Sequence, residues 1–534
     1  IDGKKVKEYS SGPYKYSWDS SKATEGTHTI TVEALDRSGN VGRKSVTGIM
    51  DKIKDISWQK TFDSGYVANS IQQTKDGGYI AAGWTKFFGY GEADVYILKL
   101  NSKGHLEWQK TFGGEYDDAA YSIHQTTDGG YIVAGWTKSF GSGGEDVYIL
   151  KLNSKGEVQW QKTFGGKADD EANSVQQTKD GGYIVAGCTK SFGSAGYDVY
   201  ILKLSSKGEV EWQKTFSWER DNEAESIQQT ADGGYIIAAV TGDFERRECD
   251  AYVLKLNSKG QLEWQKTFGG KSFDEANSIQ QTTDGGYIVA GSTYSFGSGG
   301  ENVYILKLDS NGEVEWQKTF GGEDNERANS VQQTADGGYI VAGRIWPIEY
   351  LFDVYILKLN SKGDLEWQKT FGGERDDEAK SIQQTTDGGY IVAGWTDSFG
   401  SGGNDVYILK LDSKGEVDTT PPEVKFISPS DGKLLGGTIE INIDAKDNYE
   451  LEKVTLYIDG KKVKEYTSGP YKYSWDSSKA TEGAHTITAE AVDVSGNMRT
   501  KSVMTIMDRI KDILWKKTFG GEYDDAAYSI HQTT

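Results

Sequence analysis

Apolar positions along this chain fall in short runs of two kinds. Runs such as GYIVAG (286–291) and VYILKL (303–308) are continuous, while SIQQT (278–282) and EVEWQKTF (313–320) alternate apolar with polar. All four have strand length and are rich in β-branched and aromatic residues. Turn chemistry separates them: Asp284-Gly285-Gly286 after the first, Phe296-Gly297-Ser298-Gly299-Gly300 after the second, and Ser310-Asn311-Gly312 after the third. The pattern predicts four antiparallel strands, of which the two middle ones are covered on both faces.

This unit recurs. Trp58, Trp108, Trp160, Trp212, Trp264, Trp316 and Trp367 are spaced 50, 52, 52, 52, 52 and 51 residues apart, and the DGGY motif occurs seven times, from Asp76–Tyr79 to Asp387–Tyr390. A fixed period of this size belongs to solenoids or propellers, and a leucine-rich or hexapeptide solenoid would need a much shorter one. Blades packed face to face about an axis cover both faces of their middle strands. The last unit lacks its fourth strand: after Asp405–Leu411 the chain reads SKGEVDTTPPEV. Ile56–Phe62, ahead of the first unit, supplies the missing WQKTF. The expectation is an all-β chain with a seven-bladed ring over 56–417, closed by its N-terminal strand, which removes exposed edges. One tryptophan per blade reads as packing between blades.

A second period encloses the first. Residues 1–48 recur almost unchanged at 458–505, an offset of 458 − 1 = 457 residues. From 419 to 506 short alternating strands are split by Pro, Gly and Asp-Gly turns, which predicts an Ig-like β-sandwich. The parsing is then 1–48, second half of an Ig-like module; 49–55, linker; 56–417, propeller; 419–506, Ig-like module; 507–514, linker; 515–534, first strands of another propeller. Residues 1–48 are expected to be completed by 419–457 of another copy, and 515–534 to seat in another ring, so that the partner is the chain itself, copy after copy in a tandem array or fibre.

Composition narrows function by exclusion. The net charge of −21 disfavours nucleic acid and anionic membranes. No run of eighteen apolar residues is present, so the segment has no predicted membrane span. The histidines (His28, His105, His124, His485, His531) do not cluster, and no HExxH, GxSxG or P-loop pattern occurs. Paired carboxylates such as Asp117–Asp118, Asp169–Asp170 and Asp376–Asp377 recur blade by blade. A catalytic pair would be unique, so these are expected to hold turns by accepting backbone N–H bonds. The expectation is a protein that is not an enzyme, with no catalytic residue, no resident metal and no cofactor. Ca²⁺ in some of these loops, or near Asp444 and Asp447, is the one ion the composition admits.

The repeat FGGEYDDAAYSIHQTTDGGYIVAGWTKSFGSGGEDVYILKL resembles β-propeller repeats of secreted and cell-surface proteins of bacteria and archaea, over about 56–417 and again from 515. The stretch TPPEV…YIDGKKV…GPYKYSWD…EGAHTITAEAVDVSGN is similar to bacterial and archaeal Ig-like spacer modules. These resemblances imply extracellular or cell-surface display and say nothing of an activity.

Where the repeats disagree, one unit can contact something else. Blade four carries Ser217-Trp218-Glu219-Arg220 and Asp243-Phe244-Glu245-Arg246-Arg247-Glu248-Cys249; blade six carries Ile345-Trp346-Pro347-Ile348-Glu349-Tyr350-Leu351-Phe352. Trp218, Arg246, Arg247, Trp346, Ile348, Tyr350, Leu351 and Phe352 are the expected interface residues, being types that anchor interfaces. Trp84, Trp136 and Trp395 occupy one repeat position in three neighbouring blades, where they can stack on glycans of a cell surface or pack against another module. Cys188 and Cys249 stand on one rim of adjacent blades, and a disulfide requires Cα atoms within about 7 Å. Two readings result: a structural fibre or stalk, and a carbohydrate-binding adhesin.

Overall fold

The computed structural model describes residues 26–35, 41–50, 57–62, 67–86, 89, 92–194, 196–217, 221–244, 246, 248–346, 351–400 and 403–507. It divides into two compact units, 1–418 and 419–534. The sequence expectations for Trp218, Arg247, Ile348, Tyr350 and the segment 515–534 fall outside the described residues.

The first unit contains seven four-stranded antiparallel sheets. Blade one is Ala68–Gln73, Tyr79–Thr85, Asp94–Leu100 and Leu106–Phe112, and five further blades follow in the same order. Blade seven is Asp377–Gln384, Tyr390–Thr396 and Asp405–Leu411, completed by Trp58–Phe62. Trp58 lies opposite Lys410 and Phe62 opposite Val406, so the ring closes as expected. The seam between blades seven and one repeats the bonds of the other seams. Ile71 N donates to Ser381 Oγ (3.3 Å) and Gln73 N to Gln383 Oε1 (2.6 Å), as Ile123 N and Gln125 N do to Ser70 Oγ and Gln72 Oε1. The apolar middle strands are buried on both faces, in one cluster per seam.

Each outer-strand tryptophan lies edge-on to the DGGY tyrosine of the next blade, from Trp58–Tyr79 (5.8 Å) to Trp367–Tyr390 (5.9 Å). Only Trp58 is fully buried; the other six are half-buried, so the position is a packed flap rather than core.

The DGGY motif has a partner that the sequence hides. The lysine of VYILKL is buried in every blade: Lys99, Lys151, Lys203, Lys255, Lys307, Lys358 and Lys410. Lys99 Nζ contacts Asp76 (3.0 Å), Glu107 (3.0 Å) and the Leu100 carbonyl (3.0 Å). Asp76 also accepts from Gly78 N (3.0 Å). A Cβ on Gly78 would lie 2.2 Å from the Leu100 oxygen and 2.6 Å from the ammonium, which is why the second glycine is required. The lysine is pinned, and the charge is compensated where it would otherwise be costly.

The recurrent carboxylates hold loops, as their repetition implied. Asp118, Asp170 and Asp377 each accept the backbone N–H of the second glycine of the preceding FGG, at 2.8–3.0 Å. Asp376 accepts from Phe352 N (2.8 Å).

In the second unit a three-stranded sheet (Glu423–Ser428, Thr438–Lys446, Tyr471–Asp476) and a five-stranded sheet enclose one core around Ile441, Val454, Leu456, Ile487 and Ala489. This is the expected Ig-like sandwich. Its hairpin Gly483–Asp493/Met498–Met507 is matched, 457 residues earlier, by the hairpin Gly26–Leu35/Val41–Met50. Asp444 is exposed on its strand. Asp447 and Asp493 bring carboxylate oxygens within 4.8 Å of each other, and Asp493 already accepts from Asn497.

Candidate functional site at the channel mouth

Every inner strand carries a β-bulge at the same place. In blade one the register skips between Ala68 and Ser70, and the same step recurs in all seven blades. A bulge leaves one residue unpaired and re-aims its side chain. In four blades that residue is asparagine, whose Nδ2 clips the carbonyl of the next blade: Asn69 to Ala120, Asn173 to Ala224, Asn277 to Ala328 and Asn329 to Ala379, at 2.8–3.1 Å. Blades two, four and seven replace it with Tyr121, Glu225 and Lys380 and give up the clip.

Two further positions accompany the bulge residue at the end of the channel nearest the variable loops. The residue two before it is Val67, Ala119, Glu171, Glu223, Glu275, Arg327 or Glu378 in blades one to seven. Its neighbour on the second strand is Trp84, Trp136, Cys188, Val240, Ser292, Arg344 or Trp395. These three rings of positions give the mouth an aromatic arc (blades seven, one and two), an acidic arc (three to five) and a basic arc (six and seven).

The basic arc is internally paired. Arg327 meets Glu275 at 2.7 Å, Lys380 meets Glu378 at 2.9 Å, and Arg344 approaches Glu378 at 3.6 Å. Glu378 also accepts from Trp395 Nε1 (3.2 Å) and Asn329 Nδ2 (2.9 Å). Those cations hold its carboxyl below the usual range against a burial effect that acts the other way.

The acidic arc is paired only at its blade-five end, where Glu275 meets Arg327. Glu223 and Glu225 have no hydrogen bond or ion pair among the described residues. Burial, with Glu223 and Glu275 beside it, pushes Glu225 up to about 8, although Arg327 and Lys380 across the channel pull the other way. Burial and a hydrogen bond shared with Glu145 push Glu171 up to about 8. Burial and Asp221 push Glu223 up to about 6. Beside these acids Trp136 donates from Nε1 to Tyr121 Oη (3.0 Å), and Lys138 lies over its ring at 5.1 Å.

The three tryptophans expected from sequence stand at one repeat position of three neighbouring blades, each half-buried. The acids and bases on the inner strands fill one column of the repeat whose residue type changes from blade to blade, and that change is the only signal of them in the sequence.

The expected interface loops are distributed otherwise. Blade four extends its middle hairpin to Asp243↔Glu248; Phe244 packs on Phe273 of the next blade (6.5 Å), and Arg246 is exposed, paired with Asp243 (3.5 Å). In blade six Trp346 and Phe352 pack on each other (4.8 Å) with Arg344 over the Phe352 ring (4.8 Å), while Leu351 is exposed. Trp346 and Phe352 thus cover their own blade in part. The disulfide is not formed: Cys188 and Cys249 are buried free thiols. Cys188 faces Glu171 in the second strand of blade three, whereas Cys249 faces Gly242 in the extended hairpin of blade four.

At the other end of the channel a cavity of about 220 Å³ is lined by the inner-strand Ile/Val and Gln residues. The glutamines link blades through their Oε1 atoms, but blade two has His124 there, with Nδ1 buried and unpartnered. His124→Gln is expected to raise stability by about 1 kcal/mol, read from thermal melts. Burial and nearby Lys75 push His124 down to about 4. The unfolded chain takes up its proton first, near pH ~6.5. Stability is therefore full above that pH and falls toward pH ~4, and the gain from His124→Gln should widen across this window.

Two family models agree with this architecture. Residues 1–32 and 422–489 match the family model of a bacterial Ig domain, and residues 385–420 match "Domain of unknown function (DUF5122) beta-propeller". The chain combines a β-propeller with a bacterial Ig-like domain. Regulatory protein FlaEY of Caulobacter vibrioides is 28% identical over 139 residues, 22% of this chain and 15% of that protein, so the chain spans a small part of this curated relative. Among solved structures, Sqt1 from Chaetomium thermophilum aligns at 11% identity over 66% of this chain and 86% of its own, with a TM-score of 0.39. The fibronectin(III)-like modules of Clostridium thermocellum CbhA align at 27% identity over 16% of this chain and 96% of their own, with a TM-score of 0.15.

Proposed function

We propose that this propeller–Ig chain is a non-enzymatic structural protein of the extracellular space or cell surface, in which propellers alternate with Ig-like spacers as beads of a fibre or stalk. The observation that carries this reading is the 457-residue repeat, which brings both kinds of module back in the same order. The match to a bacterial Ig domain supports the location. The recurrence of the Ser–Asp and Asp–backbone contacts supports a scaffold role for groups that would otherwise suggest catalysis. Negative-stain imaging of a chain carrying several periods tests it. Beads at even intervals along threads are expected; compact particles with no thread would overturn it. The adhesin reading keeps one observation in its favour, the convergence of Trp84, Trp136 and Trp395 on one mouth. It predicts glycan binding that Trp136→Ala abolishes, read on a glycan array.

A further inference from the structure

We infer that the channel mouth is a binding site for an organic ammonium ion, held by Glu225, Glu223 and Glu171 against the ring faces of Tyr121 and Trp136. The inference is independent of whether the chain builds a fibre.

Three observations carry it. The first is charge. The mouth brings together Glu171, Glu223, Glu225, Glu275 and Glu378 against Arg327, Arg344 and Lys380, and the cations are engaged by Glu275 and Glu378. On the opposite side Lys138 is taken by Glu145 (2.9 Å) and Lys190 by Asp169 (3.3 Å), so that no cation pairs directly with Glu223 or Glu225 among the described residues. The second is Glu225 itself. It projects from a bulge into the ring, surrounded by the blades, and has no hydrogen-bond donor among the described residues. Four other blades place an asparagine there that ties two blades together. Blade four has exchanged a stabilising clip for a carboxyl group with no partner, which a scaffold alone would not favour and which a bound cation would ionise. The third is the neighbouring wall. Tyr121 has displaced the same clip in blade two, and Trp136 is fixed by its bond to Tyr121; Lys138 already lies over the Trp136 ring (5.1 Å), so an incoming ammonium takes the Tyr121 ring or displaces Lys138. Aromatic faces beside carboxylates attract an ammonium group carried on an apolar or sugar body.

The spread of the acids selects the size of the ion. Among the described residues, no three of these carboxylates bring oxygens within 4.8 Å of one another. A bare divalent metal needs such convergence. An organic cation with several N–H donors spans an arc instead. Diamines and amino sugars share this chemistry, and the test separates them.

The full chain is titrated calorimetrically with putrescine, with glucosamine and with N-acetylglucosamine. Saturable binding of putrescine, glucosamine or both is expected, with N-acetylglucosamine bound at least about tenfold more weakly than glucosamine. Putrescine alone would identify a diamine site, glucosamine alone an amino-sugar site. Glu225→Asn restores the residue of the other blades, so it is expected to keep the fold, to melt higher, and to weaken amine binding at least about tenfold. Glu225→Gln removes the same charge if the asparagine variant fails to fold. Absence of saturable amine binding, or equal binding by wild type and both variants, overturns the inference. N-acetylglucosamine binding as well as glucosamine also overturns it, in favour of neutral sugar stacking on the tryptophans.

Discussion

Replacing Trp58 by alanine is expected to cost about 3–5 kcal/mol and to open the ring at one seam only. Trp58 is the one outer-strand tryptophan with no exposure, and its ring meets Tyr79 at 5.8 Å. Gly104, in the turn before the outer strand of blade one, lies so close that a Cβ there would sit 2.7 Å from the indole. Its strand, Trp58–Phe62, is five residues long. In the other six blades the outer strand continues directly from the third strand of its own sheet, whereas this one arrives from the far end of the ring. Packing of Trp58 therefore carries a larger share of the strand's attachment. The measurement is a thermal melt with hydrogen exchange at residues 406–410, whose amides should lose protection before those of blades three to five. The variant should also self-associate, because Asp405–Leu411 becomes an open edge. Trp212→Ala, at a half-buried position in a continuous blade, should cost less. Equal losses for the two variants would refute a special role for the closing strand.

Asp387→Ala should be the most damaging change in the lysine array. Lys410 is 1% exposed and its ion pair with Asp387 (2.9 Å) is itself sheltered, the aspartate side chain being 10% exposed. In blade five Lys307 has both Asp284 (3.0 Å) and Glu315 (3.1 Å). Blade seven has Ser57 where blade five has that glutamate, so that without Asp387 the Lys410 ammonium keeps the uncharged Leu411 carbonyl (3.0 Å) but loses its carboxylate. Stranding a buried charge costs about 3–5 kcal/mol, whereas replacing both partners by apolar groups is often neutral. Asp387→Ala should thus fall in that range, Asp284→Ala should cost less, and Asp387→Ala with Lys410→Met should recover most of the loss. Chemical denaturation of the variants decides this; a double variant as unstable as the single would refute the buried-charge account.

Much of the architecture is legible in the sequence because a repeat states each rule seven times. The displaced WQKTF announces closure, and the recurrence of Asp117–Asp118 at other blades announces turn structure. The buried lysines are harder to see, since a charge inside VYILKL reads as the one solvent-facing position of a strand. Their burial follows from a partner two turns away, the aspartate of DGGY, which looks like ordinary turn chemistry. The channel mouth is hidden for another reason. Glu225, Lys380 and Tyr121 are separated by a hundred residues or more, and each is a single substitution inside a conserved-looking strand. Only the ring places them around one opening. Cys188 illustrates the limit: a one-rim argument could place it near Cys249, but strand register sends the two to different environments.

The closing strand has a mechanical consequence. Trp58 and Lys410 face each other at the point where the chain enters and leaves the ring. Tension transmitted through the two ends would load that pair first and peel the strand open one hydrogen-bonded pair at a time, rather than shear all pairs together. Once the strand is released, the 354 residues from Trp58 to Leu411 (411 − 58 + 1) can pay out to roughly 1,200 Å. A thread of such rings would behave as a line of extensible links, yielding under a pull and re-forming when it slackens.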